Sequence, residues 1–70
     1  MYFNKNLKHL RIKKKLSQTE LANQLNVTRD TIASLENQRM NPSFELLLKI
    51  KYFFNINLEN LIFKDLSNKE

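Results

Sequence analysis

The apolar positions of this chain fall into five short clusters spaced three and four residues apart, with polar breaks between them. That period predicts helices, and nothing in the chain sustains the strict alternation of a half-buried strand. Leu7 and Leu10 mark a first helix running to about Lys14, with Asn4 or Asn6 expected as its N-cap and cations in its last turn, where the helix dipole favours them. A second helix, residues 18–25, carries Leu21, Ala22 and Leu25 on one face. It opens at Ser17-Gln18-Thr19-Glu20, the spacing of a capping box, in which hydroxyl and carboxylate each satisfy a backbone amide of the other. After the brief Asn26-Val27 break, Thr28 is expected to cap a third helix over residues 29–37, with Ile32 and Leu35 inward. Residues 38–42 read as irregular. Ser43 caps a fourth helix whose apolar positions are Phe44, Leu47, Leu48, Ile50 and Phe54. Asn55 ends it, Ile56 packs, and Asn57 caps a short fifth helix holding Leu58, Leu61 and Ile62. The expectation is an all-α, five-helix domain over residues 1–66 with a short frayed tail at 67–70.

Composition narrows the chemistry. Seventy residues make one small domain, which buries only about 60% of the surface its unfolded chain exposes. There is no cysteine and one histidine, His9, so disulfides, thiol chemistry and a metal cage are excluded and no cofactor is expected. There is no glycine and one proline, Pro42, which removes Gly-rich phosphate loops. No nucleophile, base and acid stand together as a catalytic set, and no enzyme is expected. His9 reads as a surface residue.

The net charge of +5 is concentrated at one end. Lys5, Lys8, Arg11, Lys13, Lys14 and Lys15 give the first fifteen residues +6 with no acid, while the rest of the chain holds six basic and seven acidic side chains. Such a face seeks a polyanion, a nucleic acid or an anionic membrane surface; abundant lysine and asparagine in AT-rich genomes is the compositional alternative. No apolar run approaches the roughly 20 residues of a membrane helix, and the basic start lacks a signal peptide's apolar stretch. A soluble, cytoplasmic protein with no membrane partner and no small-molecule ligand is expected.

Residues 18–25 and 28–37, joined by a very short connection, have the form of a helix-turn-helix, whose second helix enters the DNA major groove. Alone this is a weak signal. The wider string is more specific: Arg11, Leu16-Ser17-Gln18-Thr19-Glu20-Leu21-Ala22, Val27-Thr28, Thr31-Ile32, Leu35-Glu36-Asn37, Asn41-Pro42-Ser43 and Leu58-Glu59-Asn60-Leu61. In that order and spacing it closely resembles the Cro/CI-type (XRE-type) helix-turn-helix family of phage and bacterial repressors, over about residues 5–63. The resemblance implies a lambda-repressor-like fold and a sequence-specific DNA-binding transcriptional regulator, a repressor, binding an inverted-repeat operator as a homodimer.

The resemblance also implies roles for individual residues. Arg29, Asp30 and Ser34 match positions at the front of the recognition helix that reach base edges, and Ala33 is small enough for a methyl contact. Arg29 suits this best, because a guanidinium bonds guanine O6 and N7 together; a phosphate contact is its alternative. Asp30 has three readings: accepting from a cytosine amino group, orienting Arg29, or favouring the positive helix end. Gln18, Thr28, Thr31, Asn37 and Arg39 match phosphate-contacting positions, with Gln18 at a helix N-terminus where free amides favour anions. Arg11 and Glu36 match a structural ion pair between the first helix and the end of the recognition helix. The Lys13-Lys14-Lys15 run reads as backbone attraction or a solvated helix end.

Three departures stand out. The family often has glycine where this chain has Asn26, Gln38 and Asn55. Asparagine tolerates the left-handed backbone such sites need, but Gln38 does not obviously do so, and a differently shaped loop is expected there. Lys51 interrupts an apolar face. Finally, Tyr52, Phe53, Ile62, Phe63 and Leu66 exceed what one small core buries, and Phe53, Ile62, Phe63 and Leu66 are the expected dimer interface. Other readings stay open: an antitoxin or other protein-binding module on the same fold, or the controller protein of a restriction–modification locus.

Overall fold

A computed structural model describes residues 1–67; the last part of the expected tail, residues 68–70, lies outside the described residues. Five helices follow in order: α1 Phe3–Lys13, α2 Gln18–Leu25, α3 Arg29–Glu36, α4 Phe44–Phe54 and α5 Leu58–Phe63, with no strand among the described residues. α2 packs against α3, α1 lies across α3 and α5, and α4 closes the core against α2 and α5.

The starts of four helices follow from one side chain each. Ser17 Oγ accepts from the Glu20 amide at 3.0 Å while Glu20 Oε1 accepts from the Ser17 amide at 2.7 Å. Thr28 caps α3, Ser43 caps α4, and Asn57 Oδ1 accepts from the amides of Glu59 and Asn60 in α5. Each cap of this kind contributes about 1 kcal/mol. α1 departs from expectation. Its first turn follows Tyr2 with no side-chain cap, and both Asn4 and Asn6 lie within the helix, their side chains bonded to distant backbone.

The ends of α1 to α4 share one device. Lys15, Asn26, Gln38 and Asn55 all have left-handed φ, between 53° and 61°. The next residue's amide then reaches back to a carbonyl of the last turn: Leu16 to Arg11, Val27 to Ala22, Arg39 to Ser34 and Ile56 to Lys51, at 2.8–3.1 Å. This satisfies carbonyls that a helix end leaves orphaned. The differently shaped loop expected at Gln38 is not found. Glutamine takes the conformation glycine would supply, and Lys15 does the same at a position that no sequence signal marks. Leu16, Val27 and Ile56, each one residue past the reversal, pack onto the core.

The core is Phe3, Leu7, Leu21, Ala22, Leu25, Ile32, Leu35, Leu46, Ile50 and Leu61. A fully buried side chain of this size contributes roughly 1.5–3 kcal/mol. α4 turns Ile50 fully inward and packs Leu47 and Phe54 against the core as expected, but Leu46 takes the place expected of Phe44. Leu46 and Ile50, four apart, point inward, while Phe44, in the first turn, is 68% exposed. Lys51 is half-buried, its ammonium lying 4.5 Å from the centre of the Tyr52 ring.

Candidate nucleic-acid interface

The turn between α2 and α3 is built by Asn26 in its left-handed conformation and by Val27, whose amide bonds Ala22 O at 2.9 Å and whose side chain packs on the core. Thr28 then starts α3: its hydroxyl accepts from the Thr31 amide at 3.2 Å and lies 2.9 Å from the Thr31 hydroxyl. Because Ile32 and Leu35 are fully buried, the helical period turns Asp30 outward, and Arg29 is the first residue of α3, at its open end. Both are exposed, as are Thr28, Asn37 and Arg39, while Thr31, Ala33 and Ser34 are half-buried along the flank. Arg29 Nη1 stands 3.8 Å from Asp30 Oδ1. A pair so exposed is worth about 0–1 kcal/mol at most, so it leaves the guanidinium able to move to another partner.

The far end of α3 is held firmly. Arg11 Nε donates to Glu36 Oε2 at 2.7 Å and its Nη2 to Oε1 at 3.1 Å, while Nη1 donates to Leu16 O at 2.9 Å. Gln18 Nε2 also donates to Glu36 Oε1, at 3.1 Å. One carboxylate thus joins α1, α2 and α3. Gln18 uses one amide hydrogen there; its second amide hydrogen, its carbonyl oxygen and its backbone amide at the head of α2 face no partner in this network. Asn4 Nδ2 donates to Leu35 O, one residue from Glu36.

α1 also binds the end of the chain. Asn6 is fully buried. Its Nδ2 donates to Leu61 O at 2.8 Å and Lys64 O at 2.6 Å, and its Oδ1 accepts from the Leu66 amide at 2.9 Å. Lys5 pairs with Asp65 at 3.0 Å. The Ser67 hydroxyl, donating to Asp65 at 2.7 Å, and then Lys5 hold that carboxyl below its ordinary range. One sequence signal points to Asn6: it lies on the Phe3–Leu7–Leu10 stripe, where an apolar residue would be usual.

The residues expected at a dimer interface are not all equally free. Phe53 packs on the core, meets Phe54 edge-on at 4.9 Å, and has Lys14 Nζ 5.5 Å from its ring centre. Ile62 and Leu66 are half-buried, and Phe63 is 62% exposed. Lys13, Lys14 and Lys15 are exposed at the end of α1. Among the described residues no cluster of groups could hold a metal ion, and no helix is long and apolar enough to cross a membrane.

Residues 7–61 match the family model described as helix-turn-helix. The chain is 38% identical over 60 residues to an uncharacterized HTH-type transcriptional regulator of Methanocaldococcus jannaschii, covering 84% of this chain and 91% of that protein. It is 39% identical over 59 residues to an uncharacterized HTH-type transcriptional regulator of Archaeoglobus fulgidus, covering 84% and 83%. It is also 39% identical over 62 residues to the HTH-type transcriptional activator BcrR of Enterococcus faecalis, a match that takes in 89% of this chain but 30% of BcrR.

Proposed function

This chain belongs to the helix-turn-helix family, and from that premise we propose that it is a sequence-specific DNA-binding transcriptional regulator that reads DNA with α3. The observation that carries this reading is the asymmetry of α3. Its C-terminal end is locked to α1 and α2 through Glu36, while its N-terminal end presents Arg29 and Asp30 to solvent beside the capping residue Thr28. A helix fixed at one end and polar at the other suits a rigid reader in the major groove. Arg29, Asp30, Ala33 and Ser34 face base edges in this reading. Gln18, Thr28, Thr31, Asn37 and Arg39 flank them on the phosphates, positioning contacts that carry no sequence information themselves.

The protein acts as a homodimer on an inverted repeat and represses by occupying its site. The exposed Phe63 ring, with Ile62 and Leu66 beside it in sequence, supports an interface at the end of the chain. Two-fold symmetry then sets the recognition helices about 34–36 Å apart, on half-sites one DNA turn apart. Selection of bound sites from random duplex DNA tests the reading. An inverted repeat with half-site centres about one turn apart is expected. Recovery of no preferred sequence overturns DNA reading, and a single unrepeated site together with a monomer in sedimentation at micromolar concentration overturns the dimer.

A further inference from the structure

We propose that Asn4 is a positioning residue for DNA recognition, acting on α3 through the carbonyl of Leu35; this rests on the DNA-reading role proposed above. α1 meets the C-terminal end of α3 at two places. Arg11 holds the Glu36 carboxylate, and Asn4 Nδ2 donates to Leu35 O. Asn4 and Arg11 are two turns apart on one face of α1, about 10 Å along its axis. A single attachment is a pivot, whereas two separated attachments fix the angle between the helices.

The second attachment falls on a carbonyl of the last turn of α3, beside the Glu36 clamp. Leu35 O receives its other bond from the amide of Gln38 at 3.3 Å, across the left-handed reversal. From Leu35 to Arg29 is about 9 Å along α3. A tilt of about 10° at the held end therefore moves the head of the helix by roughly 1.5 Å, which breaks hydrogen bonds that form only near 2.7–3.2 Å. Asn4 itself is half-buried at the end of α3 remote from Arg29, so its effect on recognition passes through the angle of α3 rather than through a contact with bases.

Asn4→Ala and Asn4→Asp are compared with the wild-type protein by fluorescence anisotropy over a salt series. The probes are the duplex that the wild-type chain selects and a scrambled duplex of equal length. Both variants are expected to lose about tenfold in the ratio of selected to scrambled affinity, the scale of one hydrogen bond. For Asn4→Ala, scrambled-duplex affinity and salt slope should stay unchanged, since no charge is altered and no phosphate-binding group is removed; Asn4→Asp adds a negative charge that weakens both duplexes alike, so for it only the ratio is read. A ratio within twofold of wild type overturns the inference, as does a parallel loss on both duplexes by Asn4→Ala. If alanine prevents folding, Asn4→Ser, which shortens the donor arm, carries the same expected and overturning results. A wild-type chain that prefers no sequence defeats the DNA-reading proposal and this inference with it; a discriminating wild type with an equally discriminating Asn4→Ala defeats the inference alone.

Discussion

Arg11 and Glu36, 25 residues apart in the chain, meet through a two-pronged ion pair whose bonds measure 2.7 and 3.1 Å. The two side chains are only 11% and 2% exposed. Removing the carboxylate strands a guanidinium away from water and frees the Gln18 amide as well. Glu36→Ala is therefore expected to cost about 3–5 kcal/mol. At roughly 4–8 °C per kcal/mol in a domain this small, its thermal midpoint should fall by 12 °C or more, about the low end of that range. The double variant Arg11→Met/Glu36→Leu should lose less than Glu36→Ala, because no charge is left unpaired. Circular-dichroism melts of the three proteins check both points; a Glu36→Ala midpoint within 4 °C of wild type, about one surface pair's worth, contradicts the first.

Gln38 and Lys15 hold left-handed backbone with side chains that oppose it. A residue with a Cβ is destabilised there by about 1–2 kcal/mol, less for asparagine. Glycine removes that strain but gains freedom in the unfolded chain, so Gln38→Gly and Lys15→Gly should each stabilise by about 0.5–1 kcal/mol. Asn26→Gly and Asn55→Gly should gain less. Urea unfolding midpoints at unchanged slope separate the two classes. Equal gains at all four sites would mean that asparagine carries no advantage in this chain.

What the sequence reveals follows from how local each cause is. The caps at Ser17, Thr28, Ser43 and Asn57 act within three residues, and all four are legible. The apolar period locates every helix but takes Phe44 for Leu46 in α4, where apolar residues crowd positions 44–54 and the pattern allows more than one inward row. Asn4 and Asn6 resemble caps in the sequence, yet their partners lie 31 to 60 residues away. Periodicity places Asn6 on the inward stripe of α1 but does not name the partners of such bonds. Arg11 with Glu36 is equally non-local, and it is legible only through the family resemblance.

Arg29 and Arg39 should separate two kinds of DNA contact. Arg29 is 60% exposed at the head of α3, held by nothing stronger than a 3.8 Å approach to Asp30. Arg29→Ala is expected to abolish preference at one base pair per half-site, costing about 1–3 kcal/mol on the selected duplex. Its binding to scrambled DNA should barely change. Arg39→Ala should weaken both duplexes alike and reduce the salt slope by about 0.9 for each phosphate that the arginine neutralises. Competition assays at two or more salt concentrations check the distinction, and uniform weakening by Arg29→Ala would reassign it to phosphate.

Asn6 ties the beginning of the chain to its end, with no exposure and three close bonds to residues 61–66. Asn6→Leu fits the apolar stripe but orphans the Leu66 amide and the carbonyls of Leu61 and Lys64. Each orphaned buried group costs about 1–3 kcal/mol. Residues 64–66 can instead detach and meet water, which caps the loss. Hydrogen exchange distinguishes these outcomes: the Leu66 amide should lose its protection in Asn6→Leu while the α2 and α3 amides keep theirs. Retained protection at Leu66 would show that the bond from Asn6 does not hold the segment.

Asp65 gives that same segment a dependence on pH. Its carboxyl is held below the ordinary value near 3.8, first by the Ser67 hydroxyl and then by Lys5. A carboxylate whose folded pKa is depressed adds stability that is complete above its unfolded pKa and disappears as pH falls through the folded one. The contribution should therefore be fully present at about pH 6–7, begin to fade near pH 4, about the unfolded value, and vanish below the folded pKa. Asp65→Asn removes the titrating group. Urea midpoints of wild type and Asp65→Asn should differ most at neutral pH, with wild type the more stable, and converge under acid. Because Lys5 is 57% exposed, added salt should shrink the part of the neutral-pH difference that comes from the ion pair. The part due to Ser67 should persist, since a hydrogen bond at 2.7 Å within three residues is not screened. A gap between the two proteins that stays constant from neutral pH to about pH 3 would rule out titration of Asp65 as its source.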